Sequence, residues 1–170
     1  FLSRCKMVNS NLQEKILDLL SDISDPEIPV VSIIEMGMVR GVEFQENHPV
    51  VIITPTYSGC PAMHQIQDDI ATVLKSNGID GDVKTRLSPP WTTDWMTEET
   101  KQKLKKYGIA PPIGFSKDIR MDLFSVIQKV NCPFCDSAET ELKSEFGSTA
   151  CKSYYHCNSC HQSFEYFKCH

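Results

Sequence analysis

Two pairs of cysteines, Cys132-x-x-Cys135 and Cys157-x-x-Cys160, constrain the last third of this chain more than any other feature. Each pair in its tight turn offers two thiolates to one side, and two such turns complete a tetrahedron around one metal ion. The 21 residues between the pairs fall in the spacing class of zinc ribbons. Structural zinc on these four residues is therefore the expected cofactor, with an iron centre as the competitor because four thiolates also suit iron. The alternative without metal is a set of buried free thiols or disulfides. A module of about 40 residues buries too little apolar surface to fold alone, which favours the metal.

The same tail, "CKSYYHCNSCHQSFEYFKCH", carries more soft ligands than one tetrahedron uses. Between the pairs, "AETELKSEFGSTACKSYYHC" reads as two strands around a II′ turn at Gly147-Ser148, which sets Phe146 opposite Thr149 and Ser144 opposite Cys151. Continuing that ladder brings Cys135 opposite Cys160. Cys151 and Cys157 share a strand face, but six residues separate them by about 20 Å, so Cys151 is outside the first site. "SFEYFKCH" then returns antiparallel and brings Cys169 near Cys151. These two are read either as half of a second, labile metal site or as small buried residues or a cross-strand disulfide. His156 and His161 flank the knuckle cysteines, as groups that orient or shield the metal or as exposed side chains.

Six of the eight cysteines lie after residue 130, a composition shift that marks a module boundary. No run reaches the roughly 18 apolar residues of a membrane span, and the start shows no secretory apolar region. A cytoplasmic protein is expected, in which cysteine clusters mean metal or redox chemistry. The net charge of −5 argues against a nonspecific nucleic-acid binder. The basic stretch Lys101 to Gly108 follows acidic residues and reads as the solvated face of a short helix. Residues 1 to 6 precede Met7, itself able to start translation, and are taken with Cys5 to lie outside the fold.

Upstream, Leu12, Ile16, Leu19, Leu20 and Ile23 recur at helical spacing behind an Asn or Ser cap, and Pro26 and Pro29 stop that helix. Two β-branched runs, "VSIIEMGMVRGVEFQ" and "VVIITPT", follow around a turn at Glu46 to Pro49 and predict an antiparallel pair. A second helix has Ile66, Ile70, Val73 and Leu74 on one face, Pro61 in its first turn and Gly78 past its end. A third strand, "GDVKTRLS", and a third helix opened by Thr97 complete the order αββαβα. The expected fold class is α+β: a small helix-on-sheet sandwich on a mainly antiparallel sheet, then a small all-β zinc ribbon. The expected boundaries are 7–108 for the first domain, 109–130 for a linker and 131–170 for the ribbon.

Cys60 follows a strand and stands immediately before Pro61 at a helix start. Unpaired amides and the helix dipole there stabilise a thiolate, so Cys60 is a candidate soft ligand or nucleophile. His64, one turn on, is a candidate base for a thiol enzyme, although no third orienting group is identifiable. The structural alternative is a cysteine packed at a helix start. Asp25 and Glu27 in "SDPEIP" either cap a turn or touch a metal. Trp91 and Trp95 in "SPPWTTDWM" read as partly exposed protein-contact anchors.

"DPEIPVVSIIEMGMVRGVEF", "TPTYSGCPAMHQI" and "SPPWTTDWMTEE" together resemble the small domain of iron-sulfur assembly factors of the SufT type. With the tail "CPFC…FGSTAC…CNSC…FKCH", the chain resembles the PaaD-type accessory subunits of phenylacetyl-CoA epoxidase systems, from Met7 to His170. The resemblance implies a role in aerobic phenylacetate catabolism, where a diiron oxygenase receives electrons from an iron-sulfur flavoprotein reductase. This chain lacks the paired Glu and Glu-x-x-His helices of a diiron bundle and a dinucleotide fingerprint. The resemblance thus implies an accessory factor, not an enzyme, that inserts or repairs the reductase cluster. Its implied partners are the reductase and the other epoxidase subunits. A transient iron-sulfur cluster would be held by Cys60 of the "SGCP" motif, with Cys151 and Cys169 as further candidates, and a homodimer could share one cluster between two Cys60 residues. The rivals are a docking module that carries no cluster and a thiol enzyme using Cys60 and His64.

Overall fold

A computed structural model describes residues 2–113 and 130–168, with side chains described from Asn9 onwards. The chain divides into two compact units, 1–91 and 92–170.

The first unit opens with α1 (Leu2–Ser21). It starts before the Asn or Ser cap expected in "NSN" and takes in residues 2–6, expected to lie outside the fold, because no proline or glycine interrupts residues 2 to 8 and Leu, Arg, Lys and Met there favour helix. Ile16 and Leu20 are fully buried, as the spacing of apolar residues predicts. β1 (Val39–Gln45) and β2 (His48–Ile53) pair antiparallel. Their turn residues Glu46 and Asn47 both have positive φ, 49° and 74°, the signature of a I′ hairpin.

α2 (Ala62–Ser76) carries the chain from β2 to β3 (Asp82–Thr85), and β3 pairs parallel with β2. The sheet order is β1-β2-β3, so the expected mainly antiparallel sheet is half parallel. The reason is the connection: a helix between neighbouring strands makes a crossover, which returns the chain in the same direction. Val50, Val51, Ile52 and Ile53 of β2 and Ile66, Ile70 and Leu74 of α2 are all buried. Trp91 is 3% exposed and its indole N–H donates to the Met36 carbonyl oxygen at 2.9 Å. It is thus a core residue of this unit and not the exposed anchor expected from a loop; Trp95 is half-buried.

The second unit begins with a 3-10 turn (Thr93–Trp95) and α3 (Glu98–Tyr107). Thr97 caps α3 through its side chain, and Gly108 ends it with φ 92°. β4 (Ile109–Ala110), β5 (Thr140–Ser144), β6 (Lys152–Cys157) and β7 (Ser163–Phe167) form a sheet of order β4-β7-β6-β5. The sequence placed α3 with the first domain and began the linker at Ile109. Instead Ile109 and Ala110 pair parallel with Glu165 and Tyr166 of β7, and Lys105 of α3 forms an ion pair with Asp136. These bonds bring α3 and β4 into the second unit. The remainder of the expected linker, 114–129, lies outside the described residues.

Tyr155 stacks on Phe164 with ring centres 5.8 Å apart and meets the edge of Tyr166 at 5.9 Å. With Ala110, Val130, Cys132 and Cys157 these rings form the core of the unit. Two of the seven core residues are cysteines of the CxxC pairs, so the core and the candidate metal site are one structure.

Candidate functional site

The four cysteines of the CxxC pairs converge. Their sulfur atoms all lie within 4.8 Å of one another, with Cys132 Sγ 3.6 Å from Cys160 Sγ and Cys135 Sγ 3.6 Å from Cys157 Sγ. Sulfurs bound about 2.3 Å from a central zinc stand about 3.8 Å from one another in a tetrahedron. The donor set therefore fits a tetrahedral thiophilic ion without rearrangement.

Matching backbone turns build the two halves. The Asp136 amide donates to the Cys132 carbonyl oxygen and the His161 amide to that of Cys157, both at 2.9 Å. Asp136 and His161 both have φ 59°, a left-handed conformation that closes each knuckle. The ladder then aligns the halves: Thr140 faces Cys157, Glu141 faces His156 and Leu142 faces Tyr155, with a bulge before Ser144 faces Tyr154.

This register is shifted from the expected one by two residues at Thr140 to Leu142, and Cys135 is not opposite Cys160. The hairpin does not close in two residues at Gly147-Ser148. Gly147 lacks the positive φ of a II′ turn, and Glu145 to Cys151 form a longer loop. That loop is tied to β7: Glu165 Oε1 accepts from the Ser148 amide at 2.5 Å, and Oε2 pairs with Lys152 Nζ at 3.0 Å.

The amides within the knuckles stabilise negative sulfur unequally. The Cys160 amide, aided by that of Ser159, draws the Cys157 thiol down to about 7 despite its burial. At Cys135 the Ser137 amide acts in the same direction, but burial and the sulfurs of Cys160, Cys157 and Cys132 win and push its thiol up to about 12. Burial also raises Cys132. Four thiolates cannot share this space without a cation, and Cys157 ionises more readily than Cys132 or Cys135.

Cys151 is 2% exposed, with its sulfur 3.1 Å from Thr149 Oγ1. Its carbonyl oxygen accepts from the Lys168 amide at 2.9 Å, so the return strand does pass beside it. Cys169 and His170 lie outside the described residues, and the expected Cys151–Cys169 pair with them. His156 Nδ1 lies 3.2 Å from Ser163 Oγ and its ring centre is 6.3 Å from that of His161. Among the described residues neither imidazole is hydrogen-bonded to a knuckle sulfur.

In the first unit, Cys60 is half-buried just before α2. The amides of Ala62 and Met63 point to its sulfur, as the helix-start position predicts. Burial outweighs them, and the nearby carboxylates of Glu27 and Asp25 add to it, so the Cys60 thiol is raised above its ordinary value. The expected low-pKa thiolate is thereby reversed, because desolvation penalises the charged sulfur more than two amides stabilise it. Asp25 is 6% exposed and its Oδ1 accepts from the Glu27 and Ile28 amides at 2.8 and 2.9 Å, so it caps its turn. His64 is exposed, and among the described residues no hydrogen bond joins it to Cys60. The proximity of Glu27 and Asp25 to Cys60 was not legible in a sequence that separates them by more than thirty residues.

Comparison with known proteins parallels this two-part build. Residues 13–86 match the profile described as iron-sulfur cluster assembly protein, and residues 117–168 match the PaaD zinc beta ribbon domain. The chain is 47% identical over 152 residues, 89% of each chain, to an Escherichia coli K12 protein named as a subunit of a "Putative 1,2-phenylacetyl-CoA epoxidase". Over 96 residues, 54% of this chain and 90% of the relative, it is 33% identical to an Fe-S protein maturation auxiliary factor of Porphyromonas gingivalis. The crystal structure of a domain of unknown function, DUF59, from Bacillus anthracis superposes with a TM-score of 0.52 at 31% identity, covering 56% of this chain and 92% of that one. With an assembly-type domain and a four-cysteine ribbon in one chain, and near full-length similarity to the Escherichia coli epoxidase component, this protein belongs to the PaaD-type family of phenylacetyl-CoA epoxidase accessory subunits.

Proposed function

We propose that this chain is a maturation factor for a multicomponent phenylacetyl-CoA oxygenase, which assembles or repairs the iron-sulfur cluster of the reductase component. The observation that carries the reading is Cys60: a half-buried thiol beneath two helix-start amides, beside two carboxylates, in a domain of the iron-sulfur assembly family. Its reluctance to ionise suits a transient ligand. Binding iron costs the thiol its proton, and reprotonation favours release once an acceptor's thiolates compete.

One thiolate holds a cluster weakly. The remaining ligands come from Cys60 of a second copy, from Cys151 and Cys169, or from the acceptor. Zinc on Cys132, Cys135, Cys157 and Cys160 has a different part: it is closed by four sulfurs, leaves no open position for chemistry and stabilises the ribbon. Cys132 and Cys157 would hold that ion from the buried side, and the exposed Cys135 and half-buried Cys160 would close it from the outer side.

The test is the iron and sulfide content of the reductase purified from cells that carry wild type, a deletion or Cys60→Ser. Cluster content with Cys60→Ser as low as with the deletion is expected; wild-type content removes Cys60 from the mechanism.

A docking role has its own supporting observation. A cavity of about 320 Å³ is lined by Pro111, Ile113, Val130 and Pro133, and Phe134 beside it is 55% exposed. Retention of reductase cluster content in the deletion strain, together with loss of co-purification of the oxygenase components, would favour docking over maturation.

A further inference from the structure

Both knuckles close on a residue with φ 59°, where glycine is the least strained choice. The chain instead has side chains there, and one has an evident use: Asp136 holds Lys105. The counterpart, His161, is exposed, and its ring lies beside that of His156 at 6.3 Å, tilted 35°.

An imidazole nitrogen about 2.0–2.1 Å from a metal places its ring centre about 3.2 Å from the ion. Two such rings are then about 5.2 Å apart in a tetrahedral array and about 6.4 Å apart across the ion. The observed separation lies in this span, but among the described residues only the four cysteines have their ligand atoms already within 4.8 Å of one another, so the two imidazoles and the Glu141 carboxylate must reorient to close on an ion.

The neighbours complete the arrangement. Glu141 and Ser163 sit directly opposite His156 on the two adjacent strands, so the three form a row on one sheet face, while Tyr155 and Cys157 alternate to the core face. Ser163 Oγ engages His156 Nδ1 at 3.2 Å, which orients the ring and leaves Nε2 as the nitrogen for an ion, the way a metal-binding histidine is commonly supported. Lys143 Nζ holds Glu141 Oε2 at 2.7 Å and leaves Oε1.

We propose a second metal site, distinct from the four-cysteine centre: an exposed, exchangeable site for a borderline divalent ion such as Zn²⁺ or Ni²⁺, held by His156, His161 and the Glu141 carboxylate. Imidazole and carboxylate ligands suit such ions. Exposure makes the site labile, unlike the buried sulfurs of Cys132 and Cys157.

Full-length protein with one zinc already bound per chain is dialysed against rising Zn²⁺. A second equivalent should bind in the micromolar range. His156→Ala and His161→Ala should each weaken it about tenfold or more without loss of the first equivalent, Glu141→Gln should weaken it less, and Cys151→Ser should leave it unchanged. In unsubstituted protein, which avoids any folding defect of a variant, substoichiometric Ni²⁺ should broaden the imidazole signals of His156 and His161 before those of His48 and His64. No second equivalent, a second equivalent lost with Cys151→Ser but kept by both histidine variants, or uniform broadening of these four of the five histidines would each overturn the proposal.

Discussion

Lys152 Nζ lies 3.0 Å from Glu165 Oε2, and the two side chains are only 4% and 22% exposed. The pair joins β6 to β7, and the other Glu165 oxygen anchors the Ser148 amide. Removing Glu165 leaves the Lys152 ammonium buried without this carboxylate, and removing Lys152 leaves Glu165 with the Ser148 amide alone to offset its burial. Lys152→Met and Glu165→Gln should each destabilise the ribbon unit by about 3 kcal/mol, and the double variant by less than the sum. Gly147→Ala should also destabilise, because a Cβ there would stand 2.6 Å from Glu165 Oε1. Denaturant unfolding of the metal-loaded protein measures all four.

Burial alone would raise the Glu165 carboxyl, but the Ser148 amide and the Lys152 ammonium together hold it below the ordinary value of 4.5. A carboxyl depressed on folding contributes stability that is complete above 4.5 and is lost as pH falls through the lower, folded value. The Ser148 amide resonance should report this directly, with a titration midpoint below 4.5. A midpoint at or above 4.5 would show that burial prevails over the two donors.

Trp91 and Met36 are both nearly inaccessible, so the hydrogen bond between them has no solvent substitute. Trp91→Phe should cost about 1–3 kcal/mol by leaving the Met36 carbonyl oxygen unpaired. Trp91→Ala should cost about 3–5 kcal/mol through the added cavity. Thermal and denaturant unfolding followed by far-ultraviolet circular dichroism, which reports the helices of the first unit, will give both values.

The elements with local signals were legible from sequence. Apolar spacing placed Ile16 and Leu20 of α1 and Ile66, Ile70 and Leu74 of α2 inward, and Thr97 and Gly108 bound α3 as cap residues do. What failed depended on distant partners. Gly147-Ser148 resembles a turn, but Glu165, seventeen residues on, draws the Ser148 amide away from that geometry. Trp91 looks like a loop residue until the Met36 carbonyl appears beside it. Cys60 stands where a helix would favour its thiolate, and only the folded chain brings Glu27 and Asp25 close enough to help reverse the effect. The convergence of four CxxC sulfurs was readable because each knuckle is local and two knuckles have one way to satisfy a tetrahedral ion.

Metal removal should separate ribbon stability from that of the first unit. Because two cysteines of the pairs belong to the Tyr155–Phe164–Tyr166 core, a chelator should abolish the near-ultraviolet tyrosine signal of the ribbon. Cys132→Ser should do the same, and Cys151→Ser should not. Each cysteine must lose its proton to bind, and the apo ribbon lacks the folded knuckle amides that hold Cys157 at about 7, so zinc uptake by apo protein should slow as pH falls below the ordinary thiol range. Stopped-flow uptake over this range is the measurement.

At Cys60 the sign is opposite. Burial raises the thiol first, Glu27 and Asp25 add to the rise, and the amides of Ala62 and Met63 only moderate it. Alkylation at neutral pH should therefore be slower for Cys60 than for an unhindered cysteine. Burial slows it too by restricting access, so the slow rate alone does not isolate the charge effect. Glu27→Gln does isolate it: the Asp25 cap remains, one negative charge is removed, and the midpoint of the pH–rate profile for Cys60 alkylation should move down while the limiting rate at high pH stays the same. Peptide-level mass spectrometry after timed iodoacetamide exposure distinguishes the two effects. A higher plateau with an unmoved midpoint would mean that Glu27 shields Cys60 sterically, and the carboxylates would then have no part in keeping its proton.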